Sequence, residues 1–226
     1  MDGGPGPAIL EKLATEMPFY DRSLDLIVLT HPEHDHIAGL IEVLKRYKVD
    51  YILWTGIIRN TSEYEEWLKT IARENAQIKI AKAGQRIIAS RMVLDILHPF
   101  ENLEDKKVKN SNNTSIISHL IFGNNSFLFT GDAYKSVEKK LIESKTNIDS
   151  DVLKVGHHGS KTSSAKDFIE KVSPAIAVIQ CGKNNPYGHP RPETLETLAK
   201  YDIKILRTDL DGDIKIISDG TKIKIK

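Results

Sequence analysis

Short apolar runs alternate with amphipathic stretches along the whole chain, and this alternation predicts strands and helices in turn. The apolar runs have the length of strands, whereas the amphipathic stretches repeat their apolar positions with helical spacing. The predicted strands cover residues 24–29, 49–54, 78–81, 86–89, 92–97, 115–122, 126–130, 152–155, 175–180, 204–207, 214–218 and 221–226. The predicted helices cover residues 8–17, 37–47, 62–75, 134–144, 164–172 and 193–200.

The mixture of hairpins and strand–helix units predicts an α/β fold with two sheets and helices outside them. The Gly-Asn-Asn segment at 123–125 separates two strands and is typical of a hairpin turn. The helix predicted at 62–75 gathers large apolar side chains on one face, which we expect to be buried: Tyr64, Trp67, Leu68 and Ile71.

Composition limits the class of protein further. The 226 residues are 40% hydrophobic and contain no linker, so we predict a single domain spanning residues 1–226. A formal net charge of +1 provides no global field that would recruit a nucleic acid or an anionic membrane, although a local patch can still do so. The single cysteine, Cys181, excludes an intrachain disulfide. No signal peptide and no apolar run near the ~18 residues of a spanning helix are present, so no membrane contact is expected from this segment.

The residues at 30–39, Thr-His-Pro-Glu-His-Asp-His-Ile-Ala-Gly, are the most informative run of the sequence. They connect a predicted buried strand to a predicted helix, which is where α/β proteins place their chemistry. Alternate positions of an extended loop can point to the same side, and imidazoles and carboxylates together bind divalent metals. The run, which contains His31, Glu33, His34, Asp35 and His36, therefore favours a metal site over the alternative of a polar, solvated loop.

Four further polar clusters follow or precede predicted strands. They are Thr-Gly-Asp at 130–132, Gly-His-His-Gly-Ser at 156–160, the asparagine-rich residues 110–113, and Asn-Asn-Pro-Tyr-Gly-His-Pro at 184–190. Asp132 fits a metal site and equally the N-cap of the following helix. The segment 110–113 fits a source of amide oxygens and equally a simple turn, and a lone histidine such as His189 is usually structural.

These motifs, in this order, resemble the metallo-β-lactamase superfamily. Its pattern of His-x-acid-x-Asp-His, then Thr-Gly-Asp, then a later histidine is matched here, and Asp2-Gly3-Gly4 matches its opening Asp-x-Gly element. Within the superfamily the likeness is greatest to the C-terminal domain of ComEC-type DNA-uptake (competence) proteins and their stand-alone relatives. The resemblance implies an αββα sandwich. Since a turn-like segment begins the chain with no strand before it, the first strands of that fold are expected to be missing.

The resemblance also implies roles for individual residues. One divalent ion is expected on His31 and Glu33, a second on Asp35, His36 and His158, with Asp132 bridging the two. Asp35, Asp132 and His157 are expected to be catalytic, with a hydroxide that bridges the metals as the nucleophile. Asp2 is expected to support the ligands from behind. The residues expected to bind substrate are Asn113, Ser160, Lys161, Asn185 and His189.

The chain departs from the wider superfamily at two of these positions. Glu33 stands where most of its hydrolases have a histidine, and Asn113 stands where a third metal-binding histidine is usual. His119 is near in sequence but is expected to be a surface or edge residue of its strand. Replacing nitrogen by oxygen ligands favours Mn²⁺ or Mg²⁺ over Zn²⁺, although Zn²⁺ remains a candidate, and it weakens the first metal position.

The function that the resemblance implies is hydrolysis by a metal-dependent nuclease, with single-stranded DNA as the substrate and partner during DNA uptake. Two alternatives stay open. One is a small-molecule ester hydrolase of the phosphorylcholine esterase or lactonase type, because members of one fold differ in their loops. The other is a non-catalytic DNA-binding module. A role in DNA uptake would place the domain on the extracellular face of the membrane, and the alternatives would place it in the cytoplasm or outside the cell. The oligomeric state is left open.

Overall fold

The computed structural model describes residues 1–226 and divides into two compact units. The first unit comprises Met1–Lys82 and Glu101–Ile116, and the second comprises Ala83–Phe100 and Ile117–Lys226. Together they contain seven helices and twelve strands. None of the helices combines the length and the apolar character that crossing a bilayer requires. The predicted α/β class is therefore confirmed, and the single domain stays a prediction.

The first unit is a parallel three-stranded sheet with three helices. Its strands, in spatial order, are β1 (Ser23–Val28), β2 (Lys48–Trp54) and β3 (Gln77–Ile80), and its helices are α1 (Ala8–Glu16), α2 (His34–Leu44) and α3 (Ser62–Arg73). Each parallel pair is joined by one helix, as a crossover connection requires. The helices and sheet bury an apolar core that includes Ile37, Ile52 and Trp67.

The sequence of α3 explains both its start and its buried face. The Thr61 hydroxyl caps the helix by accepting the Tyr64 N–H over 3.3 Å. Tyr64, Trp67 and Ile71 are buried, as predicted from their spacing. The prediction for Leu68 was wrong, because its side chain is 39% exposed and Thr70 takes the remaining buried position.

The second unit is built on a seven-stranded mixed sheet with the spatial order β10-β9-β8-β7-β6-β5-β4. Its strands are β4 (Arg86–Ala89), β5 (Met92–His98), β6 (Ile117–Phe122), β7 (Asn125–Phe129), β8 (Val152–Lys154), β9 (Ile176–Ile179) and β10 (Lys204–Arg207). The pairs from β4 to β7 are antiparallel, and those from β7 to β10 are parallel. Its helices are α4 (Lys135–Glu143), α5 (Lys166–Val172), α6 (Pro192–Ala199) and α7 (Thr208–Asp211), the last of which was not predicted.

A predicted hairpin and a C-terminal hairpin meet in the second unit. Phe122 pairs with Asn125, so Gly123 and Asn124 form a two-residue turn between β6 and β7, which confirms the prediction. Gly123 has φ +60°, and a Cβ there would lie 2.3 Å from the carbonyl oxygen of Gly220. Gly220 connects β11 (Ile216–Ser218) to β12 (Ile223–Ile225), and the glycine allows the two turns to touch.

Two further local predictions were wrong. The helix predicted at 37–47 is α2, which begins three residues earlier at His34 and follows the extended residue Glu33. Asp35 and His36 therefore lie in the first turn of a helix and not in an extended loop. His119 was expected to be a surface or edge residue, but β6 is an interior strand and the His119 side chain is buried, which lowers its pKa.

Glu138 is a buried carboxylate that holds the loop before α5. It accepts the backbone N–H groups of Ser164 over 2.6 Å and Ala165 over 2.8 Å, and Ser164 has a left-handed φ of +59°. Burial raises the pKa of Glu138 from 4.5 to about 7, and it outweighs these two hydrogen bonds and the charge of Lys135. The folded state therefore binds this proton more tightly than the unfolded state does.

We predict a pH-dependent stability that belongs to Glu138. The contribution is fully present below the unfolded pKa of 4.5 and is lost as the pH rises through about 7. The free energy of unfolding of the wild type, minus that of Glu138→Gln, should fall by roughly 3 kcal/mol between pH 4.5 and pH 8. Denaturant titrations at several pH values measure this difference. Glu143→Gln, on an exposed position of the same helix, is the control. A wild-type-minus-variant difference that stays constant with pH would contradict the prediction.

Candidate metal centre

The residues after β1 enter a hydrogen-bond network centred on Asp2. The Thr30 N–H donates to Oδ1 of Asp2 over 2.8 Å, and the Thr30 hydroxyl donates to Oδ2 over 2.8 Å. Nδ1 of His36 lies 2.9 Å from the same Oδ2, and Nδ1 of His31 lies 3.1 Å from the Thr30 hydroxyl oxygen. Both histidines are buried, with ring centroids 4.1 Å apart. Four side chains of the first unit thus form one connected network.

This network determines which nitrogen of each imidazole carries the proton. Burial raises the pKa of Asp2, but His36, His31 and the Thr30 N–H together hold it below its ordinary value, so Asp2 is a carboxylate that only accepts. His36 therefore donates from Nδ1. The Thr30 hydroxyl uses its one hydrogen on Asp2, so it accepts from Nδ1 of His31. In a neutral imidazole the other nitrogen holds the lone pair, and both rings therefore present Nε2 as the ligand atom.

A backbone crossing that only glycines permit brings Asp2 to this position. The Gly3 N–H donates to the carbonyl of His36 and the Gly39 N–H to that of Gly4, each over 2.9 Å. A Cβ on Gly39 would lie 1.9 Å from the Gly3 carbonyl oxygen, and one on Gly3 would lie 2.3 Å from the Leu40 nitrogen. Substituting either glycine would separate residues 2–4 from α2 and remove Asp2 from the histidines.

Glu33 contacts partners that the sequence did not indicate. Nη2 of Arg59 donates to its Oε1 over 2.7 Å, and the Ser111 hydroxyl donates to the same oxygen. The guanidinium therefore balances the charge that was expected to face the first metal. A cation at Glu33 has to displace Arg59 or share the carboxylate with it.

The side chains of Asp35 and His34, also in the 30–39 run, point in different directions. Asp35 is half exposed, and its Oδ2 lies 3.9 Å from Nε2 of His36, so both atoms are close enough to bind one ion. His34 points elsewhere, because its Nδ1 lies 3.0 Å from Oε1 of Glu63 on α3 and its side chain is 61% exposed. The first turn of α2 thus separates one histidine from the site and directs Asp35 and His36 toward it.

The second unit contains a matching pair, Asp132 and His158. Asp132 is buried just after β7, beyond the sharp turn at Gly131 with φ +51°. The N-cap of α4 is Tyr134, so the alternative in which Asp132 caps this helix is wrong. Nδ1 of His158 donates to the carbonyl of Gln180 over 2.6 Å, which leaves the lone pair on Nε2. That Nε2 lies 3.2 Å from Oδ2 of Asp132. Two atoms that each direct a lone pair at the other repel at this separation unless a proton or a cation lies between them.

An unusual backbone conformation turns both histidines of the 156–160 segment. His157 and His158 have φ values of +48° and +54°, a left-handed conformation that costs roughly 1–2 kcal/mol for each residue other than glycine. Hydrogen bonds hold the segment on both sides, because the His157 N–H donates to the Gly131 carbonyl over 3.2 Å and the Arg191 N–H donates to the Gly159 carbonyl over 2.9 Å. Backbone strain held in place by surrounding contacts is typical of functional sites.

His157 lies beside the pair without being one of its closest members. Its Nε2 is 4.0 Å from Oδ2 of Asp132, and its Nδ1 is 2.9 Å from the Thr162 hydroxyl. That hydroxyl lies 3.0 Å from the Ser160 hydroxyl, so a short chain of hydroxyl groups supports the ring. The ring also stacks on Tyr134, with centroids 5.2 Å apart. This position suits a group that holds or delivers a proton.

The predicted substrate-binding residues occupy different environments. Ser160 is buried and Lys161 is exposed, both in the second unit. Asn113 is half-buried in a 3₁₀ turn, Asn112–Thr114, of the first unit. The simple turn that was one interpretation of 110–113 is therefore present. The substrate contact of Asn113 stays a prediction.

Asn185 organises its own loop. Its Nδ2 donates to the carbonyl oxygens of Gly182 over 2.8 Å and His189 over 2.7 Å, while its Oδ1 accepts the His189 N–H over 2.8 Å. These bonds close the 182–189 loop and bring the ring of His189 to 5.7 Å from that of His157. Burial lowers the pKa of His189, and electrostatic interactions with His157, His158 and Arg191 lower it further. The contribution of Asn185 is thus to shape the loop that carries His189.

Sequence reasoning missed three side chains of this site: Thr30, Arg59 and Ser111. Thr30 has a local signal, because its hydroxyl comes directly before the histidine run. Arg59 and Ser111 both contact Glu33, from which they are 26 and 78 residues away along the chain, and no motif marks these contacts.

The donor set fits a divalent metal ion. His31, His36 and His158 each have an acceptor on Nδ1 and a lone pair on Nε2, the arrangement in which protein histidines bind metals. Asp35 and Asp132 supply carboxylate oxygens close to these nitrogens within their own units. Mixed nitrogen and oxygen donors suit Zn²⁺, Mn²⁺ and Fe²⁺ alike.

The fold and these donors define a class of protein, and a family comparison agrees. A model described as the metallo-beta-lactamase superfamily matches residues 3–183. The match covers well over half of the chain, which therefore belongs to the metallo-β-lactamase superfamily.

The most informative relatives are bacterial competence proteins, which confirms the predicted resemblance. ComE operon protein 3 of Bacillus subtilis (strain 168) is 34% identical over 194 residues, which are 86% of this chain and 24% of that protein. Competence protein ComA of Neisseria gonorrhoeae is 32% identical over 197 residues, which are 86% of this chain and 25% of that protein. The chain thus spans about a quarter of the length of these relatives.

Solved structures support the fold. The metallo-beta-lactamase fold protein YhfI from Bacillus subtilis has a TM-score of 0.55 at 15% identity, covering 90% of this chain and 81% of its own. Zn²⁺-bound PqqB from Methylobacterium extorquens has a TM-score of 0.51 at 8% identity, covering 90% and 80%. At such low identities the likeness concerns the fold alone.

We predict that Asp2→Asn lowers metal affinity by about 10- to 100-fold, because the amide cannot accept hydrogen bonds on both of its atoms from Thr30 and His36. Isothermal titration with Zn²⁺ or Mn²⁺ measures the change. Asp21→Asn is the control, since Asp21 is in the same unit and bonds only to Ser23 at the surface. Equal affinities of Asp2→Asn and the wild type would show that Asp2 does not orient the ligands.

Proposed function

We propose that this metallo-β-lactamase-superfamily domain is a metal-dependent phosphodiesterase that cleaves single-stranded DNA. The observation that carries the proposal is the uniform arrangement of three buried or half-buried imidazoles, in each of which Nδ1 is hydrogen-bonded to an acceptor, so that Nε2 is the ligand atom. A polar loop without a ligand gives no reason for such uniformity. A set of metal ligands requires it.

The proposed metal ligands are those that the superfamily pattern assigns. His31 and Glu33 would hold one ion, Asp35, His36 and His158 the other, with Asp132 shared. Because Glu33 is ion-paired with Arg59, we propose that the metal position of His31 and Glu33 has the lower affinity. This position would fill when Arg59 is displaced. Divalent ions, when bound, supply electrophilic stabilisation of phosphate oxygens and make a coordinated water more acidic. Mn²⁺ and Zn²⁺ are the proposed ions, with Mg²⁺ as the third candidate.

The proposed role of His157 is to protonate the leaving oxygen. The Thr162 hydroxyl can donate to Nδ1 of His157, which places the ring proton on Nε2. The ring is 20% exposed, so a substrate oxygen can reach it. Its left-handed backbone and the hydroxyl chain through Ser160 keep the ring oriented, which is what a general acid requires.

A phosphodiester suits the groups around His157. Lys161 is exposed next to the Ser160 and Thr162 hydroxyls, and ammonium and hydroxyl groups commonly contact DNA phosphates. The names of the relatives, a competence protein and a ComE operon protein, point to DNA as the polymer and to uptake as the setting. An extracellular location is proposed on the same ground.

The test is hydrolysis of a fluorescently labelled single-stranded oligonucleotide with Mn²⁺, Mg²⁺ or Zn²⁺. We expect cleavage that requires the metal and falls by at least about 10³-fold in the Asp35→Ala, Asp132→Ala double variant, since both remove ligand oxygens. The control is Asp25→Ala, Asp167→Ala, which removes one exposed carboxylate from each unit.

The outcomes separate the alternatives. Cleavage by the wild type and by the control variant, with loss in the Asp35→Ala, Asp132→Ala variant, establishes a nuclease and identifies its ion. If folded, metal-loaded protein leaves DNA intact but hydrolyses p-nitrophenylphosphorylcholine or a lactone, the proposal of a nuclease is wrong and a small-molecule esterase replaces it. Absence of all turnover in metal-loaded protein would leave a binding module.

A further inference from the structure

Four aromatic rings of the second unit, each in contact with the next, form a row in space from the buried site to the surface. Tyr134 stacks on His157 with centroids 5.2 Å apart and planes 21° apart. His157 meets His189 edge-on at 5.7 Å, and His189 stacks on Tyr187 at 5.9 Å with planes 20° apart. We call these four rings the aromatic row. Nε2 of His157, in the inner half of the row, lies 4.0 Å from Oδ2 of Asp132, and the outer end of the row is Tyr187.

The row is rigid where it reaches the surface. Asn185 closes the 182–189 loop with three hydrogen bonds to backbone groups, two of them to His189. Pro186 and Pro190 restrict the backbone on both sides of the two outer rings. A ring on such a loop loses little conformational entropy when it binds a partner, so it is organised in advance for stacking.

Tyr187 presents its free face to solvent. The residue is 69% exposed, although its other face stacks on His189. A flat ring with one face covered and one face open offers the geometry on which a nucleobase stacks.

The charges around the row favour a polyanion. Residues 180–191 contain Lys183 and Arg191 and no aspartate or glutamate. Arg191 lies next to the loop, because a Cβ on Gly188 would be 3.5 Å from its Nη1. Phosphates on either side of a base stacked on Tyr187 would therefore meet cations and no carboxylate of this segment.

We infer that Tyr187, supported by His189, is a stacking subsite for one base of a single-stranded nucleic acid whose backbone continues toward His157. The inference rests on the proposed function and deepens it. Bases in a duplex are stacked on each other and cannot lie flat on Tyr187, so the subsite selects single strands. A small ester would leave Tyr187 uncovered.

The experiment measures binding of a fluorescein-labelled oligothymidylate by anisotropy. The protein is the full chain with the Asp35→Ala, Asp132→Ala pair, so that DNA stays intact during the titration. We expect Tyr187→Leu to weaken binding about 10-fold. Tyr187→Phe, which keeps the ring, should remain within about two-fold. Tyr20→Leu is the matched control, since Tyr20 is 75% exposed in the other unit.

A second ligand tests the stacking itself. We expect an oligomer of abasic deoxyribose phosphate to bind more weakly than oligothymidylate and to bind Tyr187→Leu and its parent equally. Equal binding of oligothymidylate by Tyr187→Leu and its parent would overturn the inference, as would loss of binding in Tyr187→Phe equal to that in Tyr187→Leu. Binding that depends on Tyr187 in a protein whose wild type cleaves no DNA would retain the subsite and overturn the nuclease. If the wild type cleaves DNA but Tyr187→Leu binds oligothymidylate as tightly as its parent, the nuclease is retained and the subsite is overturned.

Discussion

The carboxylate of Asp2 is the group on which the first unit's part of the site depends. It accepts hydrogen bonds from Thr30 and His36, and through Thr30 it also determines the proton position of His31. The close approach of the Gly3 and Gly39 backbones brings Asp2 to this position, and the space between them is too small for a side chain on either residue. A buried carboxylate is costly unless each of its oxygens is hydrogen-bonded, so the same contacts that stabilise Asp2 also orient the two imidazoles.

In the second unit, a different set of contacts makes the imidazole of His158 present Nε2. The carbonyl of Gln180 accepts the hydrogen bond from Nδ1 of His158, and the left-handed conformation at His157 and His158 turns both rings. Hydrogen bonds from His157 to Gly131 and from Arg191 to Gly159 hold this segment on both sides. One unit thus uses a carboxylate and the other a backbone carbonyl, and in each the imidazole presents Nε2. This agreement between separately built parts is the main physical support for a metal centre in a member of the metallo-β-lactamase superfamily.

Much of the fold and of the candidate site could be predicted from the sequence, because local patterns of residues encode them. The alternation of apolar runs and helical spacing indicated most elements, and the motifs at 30–39 and 156–160 marked the candidate ligands. The start of α2 was missed because its first turn is polar, so apolar periodicity begins only at Ile37. His119 was misplaced because polarity predicts exposure, whereas tertiary packing over β6, an interior strand, buries this side chain. The Arg59–Glu33 ion pair joins residues 26 apart, and no local pattern encodes such a contact.

The measurement that tests the central claim most directly is the NMR signal of the imidazole nitrogens in ¹⁵N-histidine-labelled protein, recorded with and without Zn²⁺. Metal-free protein should show His31, His36 and His158 with the proton on Nδ1, and Zn²⁺ should shift the Nε2 resonances of these three rings selectively, leaving exposed His34 unchanged. Rings that carry their proton on Nε2, or Nε2 signals that do not respond to saturating Zn²⁺, would contradict the assignment of these histidines as metal ligands.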